Sequence, residues 1–235
     1  MLQGWRHARQ DSIGDVHDRR VTDAIVFDWD GTLVDSLAAV LAANVQVLAE
    51  CGVEFDMARY RAAYAPDWRL MYLRLGVPED RLPFAGRRWL ELYRDTDDMQ
   101  PFPGAAEALR RLAEAGYVMG IVTAGDRVIV ESQLQRFGFA DLLPVRAYGD
   151  DGIAAKPHPE PLLRVLGELG TRDRAIHARY VGDAPDDMRM ARAVGARGIG
   201  IVSMLGDRVA LLEAGAAEVH PSVATWVDGL LGSGG

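Results

Sequence analysis

TDAIVFDWDGT, residues 22–32, is the stretch whose reading decides the fold. Its first half, Ala24-Ile25-Val26-Phe27, is continuously apolar, and it stops at two aspartates, Asp28 and Asp30, either side of Trp29. A short β-rich run without polar alternation suits a strand buried on both faces of a parallel sheet. Three more stretches repeat the design: YVMGIVTAGD (117–126), ARYVGDAPDD (178–187) and ARGIGIVSM (196–204). A weaker strand is expected near LLPVRAYG (142–149). Helical patterns lie between them. PGAAEALRRLAEAG (103–116) opens with Pro and closes with Gly, as helices do. DRVIVESQLQRFG (126–138), PEPLLRVLGELG (159–170) and DDMRMARAVG (186–195) have the same character. Strand–helix alternation of this kind predicts an α/β fold with a doubly wound parallel sheet.

One segment breaks the alternation. Residues 37–100 carry no strand pattern. SLAAVLAANVQVLAECG (36–52) reads as a helix capped by Ser36 and stopped at Gly52. MARYRAAY, WRLMYLRLG and FAGRRWLELYRDT follow at helical spacing. The expectation is a small helical unit at 37–100 inserted into an α/β core made of 22–36 and 101–231. Residues 1–21 are polar and charged with no apolar h-region, and read as a poorly ordered extension instead of a secretory signal.

The composition, 49% hydrophobic and 26% charged over 235 residues, is that of an ordinary globular protein with length for a sizeable core. A net charge of −8 speaks against nucleic acid or a membrane surface as partner. No apolar run approaches the roughly 18 residues of a membrane span. A single cysteine, Cys51, cannot form an internal disulfide, so a reducing compartment, the cytoplasm, is expected.

In an open α/β sheet, ligands bind at the carboxyl ends of the strands. Asp28, Asp30, Thr123, Asp183 and Asp187 all fall there, and Lys156 lies in a loop between strand and helix. Lys156 is the one lysine among 26 Lys+Arg residues. Keeping an ammonium where the chain otherwise uses guanidinium points to a position that needs a compact charge. Clustered carboxylates repel one another unless a cation joins them, and oxygen ligands suit Mg²⁺. A phosphoryl group in transfer needs positive charge around its oxygens, which Mg²⁺ and Lys156 would supply. Each residue also has an ordinary reading. Asp30-Gly31 is a common turn pair, Asp186 or Asp187 can cap the following helix, and Thr123 can bond its own backbone. Taken together, in this order and at these strand ends, they point to a site.

FDWDGTLVDS (27–36), IVTAG (121–125), AKPHPEP (155–161) and VGDAPDDMRMARAVG (181–195) resemble the four motifs of the haloacid dehalogenase-like hydrolases. The phosphoglycolate phosphatase-like branch is the nearest match, and the resemblance runs from Thr22 to about Leu231. It implies that Asp28 is the nucleophile and Asp30 the acid and base. It implies Mg²⁺ held by Asp28, Asp183 and the backbone carbonyl of Asp30, with Thr123, Ala124 and Lys156 on the phosphoryl group. Asp187 would orient Lys156 or a metal-bound water. The insert is similar to the family's helical C1 cap. Asp30 argues against the dehalogenases and phosphonatase-like members, which lack an acid there. The implied activity is a Mg²⁺-dependent phosphatase acting on a small phosphorylated metabolite, as monomer or homodimer. A phosphomutase of β-phosphoglucomutase type and a non-catalytic, ligand-binding relative are the alternatives.

AYAPDWRLMYLRLG (63–76) falls where that family carries specificity residues, and Trp68 and Arg69 are the pocket candidates. Ala65-Pro66-Asp67 stands where relatives often have a glycine, so the resemblance assigns no particular substrate. Met71, Tyr72 and Leu75 read as a buried helix face. His158, between two prolines, reads as loop structure.

Overall fold

The computed structural model describes residues 23–94 and 99–232. The extension read at 1–21, and the chain beyond Gly232, lie outside them. Eight strands and ten α-helices occur among the described residues. The strands are β1 (Ala24–Phe27), β2 (Val34–Asp35), β3 (Gln100–Pro101), β4 (Val118–Val122), β5 (Val145–Ala147), β6 (Arg179–Gly182), β7 (Arg197–Ile201) and β8 (Glu218–His220). Six form one sheet in the order β5-β4-β1-β6-β7-β8, every pairing parallel. The predicted strands are present as β1, β4, β5, β6 and β7, each shorter than its apolar stretch. β8 and the small pair β2–β3 were not anticipated.

The helices are α1 (Leu37–Glu50), α2 (Met57–Ala63), α3 (Trp68–Leu75), α4 (Leu82–Arg94), α5 (Ala105–Glu114), α6 (Arg127–Phe137), α7 (Glu160–Glu168), α8 (Pro185–Val194), α9 (Arg208–Ala214) and α10 (Val223–Gly232). β1 shows why its apolar run is unbroken. Ile25 and Phe27 enter a core with Leu109 and Leu112 of α5, Val130 and Leu134 of α6, and Trp226 of α10. Ala24 and Val26 enter the opposite core, with Leu162 and Leu166 of α7, Met188 of α8 and Leu211 of α9. Both faces are covered, so every position must be apolar. Burying each large side chain contributes roughly 1.5–3 kcal/mol.

The chain winds outward from β1 through β4 to β5, then crosses back to β6 on the other side of β1. The crevice of such a sheet opens where the winding reverses, over the ends of β4, β1 and β6. Four helices, α1 to α4, lie between β2 and β3. They gather round a core of their own that includes Val47, Leu48, Tyr72, Leu75 and Ala85. Its one buried amide is satisfied: Asn44 donates to the Tyr60 hydroxyl at 3.1 Å and accepts from the Tyr72 hydroxyl at 2.7 Å. β2 and β3 pair antiparallel, Val34 opposite Pro101 and Asp35 opposite Gln100, so the insert leaves and returns at one place. Residue 100, expected within the helical unit, already belongs to this strand pair. Ser36 stands at the N-cap of α1 but makes no side-chain bond to the helix backbone. Its hydroxyl lies near Asp30 and helps to lower that carboxyl's pKa.

Candidate active site

Asp28 directly follows β1, Thr123 directly follows β4 and Asp183 directly follows β6. The three neighbouring strand ends therefore deliver their side chains to one place. Lys156 arrives from the loop before α7, and Asp187 from the first turn of α8. Asp28, Thr123, Lys156, Asp183 and Asp187 are all buried.

Lys156 is the centre of the arrangement. Its Nζ donates to Asp28 Oδ1 at 2.7 Å, to Asp187 Oδ1 at 2.8 Å and to the Tyr180 hydroxyl at 3.4 Å. An ammonium has three N–H donors radiating from one atom, and here each has its own acceptor. Burial works to lower the Lys156 pKa, but the charges of Asp187 and Asp28 outweigh it and hold the ammonium form well above the usual range. Tyr180 donates its proton to the Val122 carbonyl at 3.0 Å or to Asp187 Oδ1 at 3.1 Å. Asp187 Oδ2 also accepts from the Ala184 backbone N–H at 3.0 Å, at the start of α8. Asp187 is thus both the helix cap of its ordinary reading and a partner of Lys156.

Asp28, Asp183 and Asp187 each offer an oxygen within 4.8 Å of the other two. Burial, then repulsion from Asp187 and Asp183, pushes Asp28 well above the usual carboxylate range, against the pull of Lys156. Burial and Asp187 push Asp183 up to about 7. Hard oxygen donors facing one another, with one ammonium among three carboxylates, are the donor set a divalent cation takes. The backbone is shaped to this crowding. A Cβ on Gly31, whose φ is +76°, would stand 2.4 Å from Asp183 Oδ2. A Cβ on Gly182 would stand 2.5 Å from the carboxyl carbon of Asp187. These residues could hold a metal ion.

Asp30 retains partial exposure at the mouth of this cluster. Burial of its carboxyl raises its pKa, and the hydroxyls of Ser36 and Tyr93 draw it back down. Thr123 Oγ1 accepts from the Gly125 N–H at 2.9 Å, which is its ordinary reading. The same oxygen lies 3.2 Å, and Asp30 Oδ2 3.5 Å, from where a Cβ on Gly125 would stand. Ala124 is exposed at the loop between them.

The insert meets the site through residues other than those expected. Trp68 packs edge-on to Tyr72, ring centroids 5.7 Å apart, and would lie 2.8 Å from a Cβ on Gly86 of α4. It fills the gap that glycine leaves inside the insert. Arg69 lies over the Trp68 ring at 4.7 Å and is otherwise exposed. Neither lines the cavity of about 340 Å³ where insert and core face each other; Tyr64, Pro66, Arg74, Lys156, Asp186 and Arg189 do. Burial and the charges of Asp183, Asp28 and Asp187 push the Tyr64 phenol well above its usual value. Tyr64 immediately follows α2 and precedes the Ala65-Pro66-Asp67 turn, where a tyrosine carries no signal of its own. His158 accepts from the Glu160 N–H at 3.2 Å and shapes the start of α7, as loop structure.

A family model described as haloacid dehalogenase-like hydrolase matches residues 25–201. The phosphoglycolate phosphatase of Pectobacterium atrosepticum is 32% identical over 186 residues, covering 75% of this chain and 79% of that protein. The structure is similar to that of a hydrolase from Pseudomonas syringae, with a TM-score of 0.79 at 24% identity over 90% of this chain and 99% of the other. A Thermotoga maritima structure bearing the β-phosphoglucomutase name superposes with a TM-score of 0.69 at 23% identity, over 90% and 99% of the two chains. At those identities the two structures speak for the fold alone. No helix among the described residues is long and apolar enough to cross a membrane.

Proposed function

Since the chain belongs to the haloacid dehalogenase-like hydrolases, we propose that it is a Mg²⁺-dependent phosphatase of small phosphorylated metabolites, working through an aspartyl-phosphate. One observation carries the reading: the buried Asp28–Lys156–Asp187 ion triad beside Asp183, at the ends of adjacent parallel strands. Asp28 attacks phosphorus in line and forms the acyl phosphate as the ester P–O bond breaks. Asp30 gives a proton to the leaving oxygen. It then takes one from the water that attacks the acyl phosphate, releasing phosphate and restoring Asp28. Lys156 holds Asp28 by Oδ1 and adds positive charge beside the transferring group. Thr123 and the Ala124 peptide lie along the path of the phosphoryl oxygens. Asp28, Asp183 and the Asp30 carbonyl would hold Mg²⁺, with Asp187 behind them. When bound, the ion neutralises phosphoryl charge that the carboxylates would otherwise repel.

In this reading residues 37–99 act as a cap over a core made of 22–36 and 100–231, and Tyr64 and Arg74 replace Trp68 and Arg69 as its substrate-facing residues. Arg74 makes no hydrogen bond or ion pair among the described residues, which leaves it free for an anionic substrate group. The protein acts in the cytoplasm, as monomer or homodimer.

The test is a panel of phosphate esters with Mg²⁺, scored by released inorganic phosphate. The relatives' name places phosphoglycolate first on it, followed by sugar phosphates, nucleotides and pyrophosphate. Hydrolysis of at least one small ester, abolished by EDTA, is expected. Folded protein that hydrolyses none of them with Mg²⁺ present would leave only a ligand-binding role. An isomeric sugar phosphate in place of free phosphate would make it a phosphomutase.

A further inference from the structure

Tyr93 lies in the last turn of α4 and is buried. Its hydroxyl donates to Asp30 Oδ1 at 3.0 Å, across 63 residues of sequence. Its ring stacks on Trp89, with centroids 4.4 Å apart and planes 18° from parallel, so the hydroxyl is carried on a rigid platform. Ser36 and Gln133 lie beside the same phenol and work to lower its pKa, against the raising effect of burial and the Asp30 charge. Gln133 is itself fixed by accepting from Trp29 Nε1 at 2.7 Å. The contact therefore joins the insert (Tyr93), its point of departure (Ser36) and the core (Gln133, Asp30).

What this does to Asp30 follows from which oxygen is tied. Oδ1 accepts the phenolic proton, while Oδ2 faces the side where Thr123 Oγ1 and Gly125 lie. A carboxyl anchored through one oxygen cannot turn freely about its bond to Cβ, so its other oxygen keeps a fixed aim. We propose that Tyr93 is a positioning residue: carried by the insert, it holds the Asp30 carboxyl so that Oδ2 is aimed at the leaving-group oxygen. In the transfer step the Asp28–phosphorus bond forms, the ester P–O bond breaks, and the proton on Asp30 Oδ2 passes to the departing oxygen. Tyr93 keeps its own proton throughout. Proton delivery is then tied to the seat of the insert on the core, since α4 brings the anchor.

This inference rests on the phosphatase reading, and the test separates the two. The variant is Tyr93→Phe, which removes only the hydroxyl. The probes are p-nitrophenyl phosphate and the alkyl phosphate that the wild type cleaves fastest. p-Nitrophenolate leaves without a proton, and an alkoxide does not. The quantity is kcat/KM, which reports the chain of steps up to aspartyl-phosphate formation and is blind to its hydrolysis. Misaiming the acid is expected to lower the alkyl value about tenfold and to shift the alkyl-to-aryl ratio by at least about fivefold. Asp30→Asn should shift the ratio the same way and further. Each ratio is taken within one preparation, so partly unfolded protein cancels from it. An active wild type with a ratio unmoved by Tyr93→Phe, whether both values fall together or neither does, would overturn the proposal while leaving the phosphatase reading standing. Wild type inactive on both esters would remove the reading and this inference with it.

Discussion

Replacing Lys156 by arginine keeps the charge and follows the chain's own preference, yet the structure predicts a large loss. The ammonium meets Asp28 Oδ1 at 2.7 Å, Asp187 Oδ1 at 2.8 Å and the Tyr180 hydroxyl at 3.4 Å from a single nitrogen. A guanidinium presents its donors in one plane, spread over three nitrogens on a longer reach. With Lys156 only 8% exposed, the extra atoms can turn only toward the cavity it lines, where the substrate would sit. The fork can satisfy at most part of the three-way set. Losing one charge-assisted bond costs about 1.5–3 kcal/mol, which is roughly ten- to 150-fold in rate when the bond serves the transition state. We therefore expect kcat with Mg²⁺ to fall at least about tenfold in Lys156→Arg. Some melting temperature should go with it, because Asp187 also holds the first turn of α8. Lys156→Met should lose more of both, since breaking one member out of a buried ion pair costs about 3–5 kcal/mol. Steady-state kinetics and thermal melts on the three proteins decide the matter. Wild-type kcat and melting temperature in the arginine variant would refute the argument that the site requires three donors on one atom.

Asp28→Asn should abolish turnover, as an amide is a poor nucleophile, yet raise the metal-free melting temperature, because it removes one of three mutually repelling carboxylates; a variant that still turns over near the wild-type rate would disqualify Asp28. The pH dependence of the metal-free protein has a definite sign. Asp183 sits at about 7 in the fold against an ordinary 3.8, so the folded chain holds a proton the unfolded chain releases. That contribution to stability is full below the ordinary value and is lost as pH rises through about 7. Melts from pH 4 to 8 should show this decline in wild type relative to Asp183→Asn, and Mg²⁺ should stabilise more at pH 8 than at pH 5; parallel curves for the two proteins would contradict it. Gly31→Ala places a methyl 2.4 Å from Asp183 Oδ2 on a backbone with φ +76°. The strain alone costs roughly 1–2 kcal/mol, and isothermal titration should find weaker Mg²⁺ binding; unchanged affinity would mean Asp183 is free to move away.

The parts of the fold legible in sequence were those whose physics leaves a long trace. β1, β4, β6 and β7 are buried on two faces and read as unbroken apolar runs. β8 has one buried residue, Val219, between half-exposed Glu218 and His220 at the sheet edge, so it offers no pattern to read. β2 and β3 have two residues each, too few for any period. The same contrast holds in the site. Asp28, Thr123, Asp183, Asp187 and Lys156 were expected because strand ends concentrate ligands, and the structure sets Asp28, Asp183, Asp187 and Lys156 within reach of one another. Tyr64 and Tyr93 were not, because each comes from the insert, and a tyrosine on a helical pattern looks like packing until the fold sets it against a carboxylate. Trp68 and Arg69 were expected in the pocket for the complementary reason. An aromatic next to an arginine suits a pocket, but here the indole covers Gly86 and the guanidinium covers the indole.

The strand pair Val34–Asp35 and Gln100–Pro101 gives the insert a single doorway into the core. The two ends of a long excursion stand side by side, so the rest of the sheet carries no information about what lies beyond them. Closure entropy grows only with the logarithm of length, by about 0.6 kcal/mol per doubling. Helices there can be lengthened, shuffled or exchanged for those of a relative without re-registering one core strand. Ancestry and engineering alike can thus rewrite which molecule is admitted while inheriting the reacting groups unaltered. The limit on such transplants is Tyr93: a donor segment must arrive with a hydroxyl at the last turn before the doorway, or supply another anchor for Asp30.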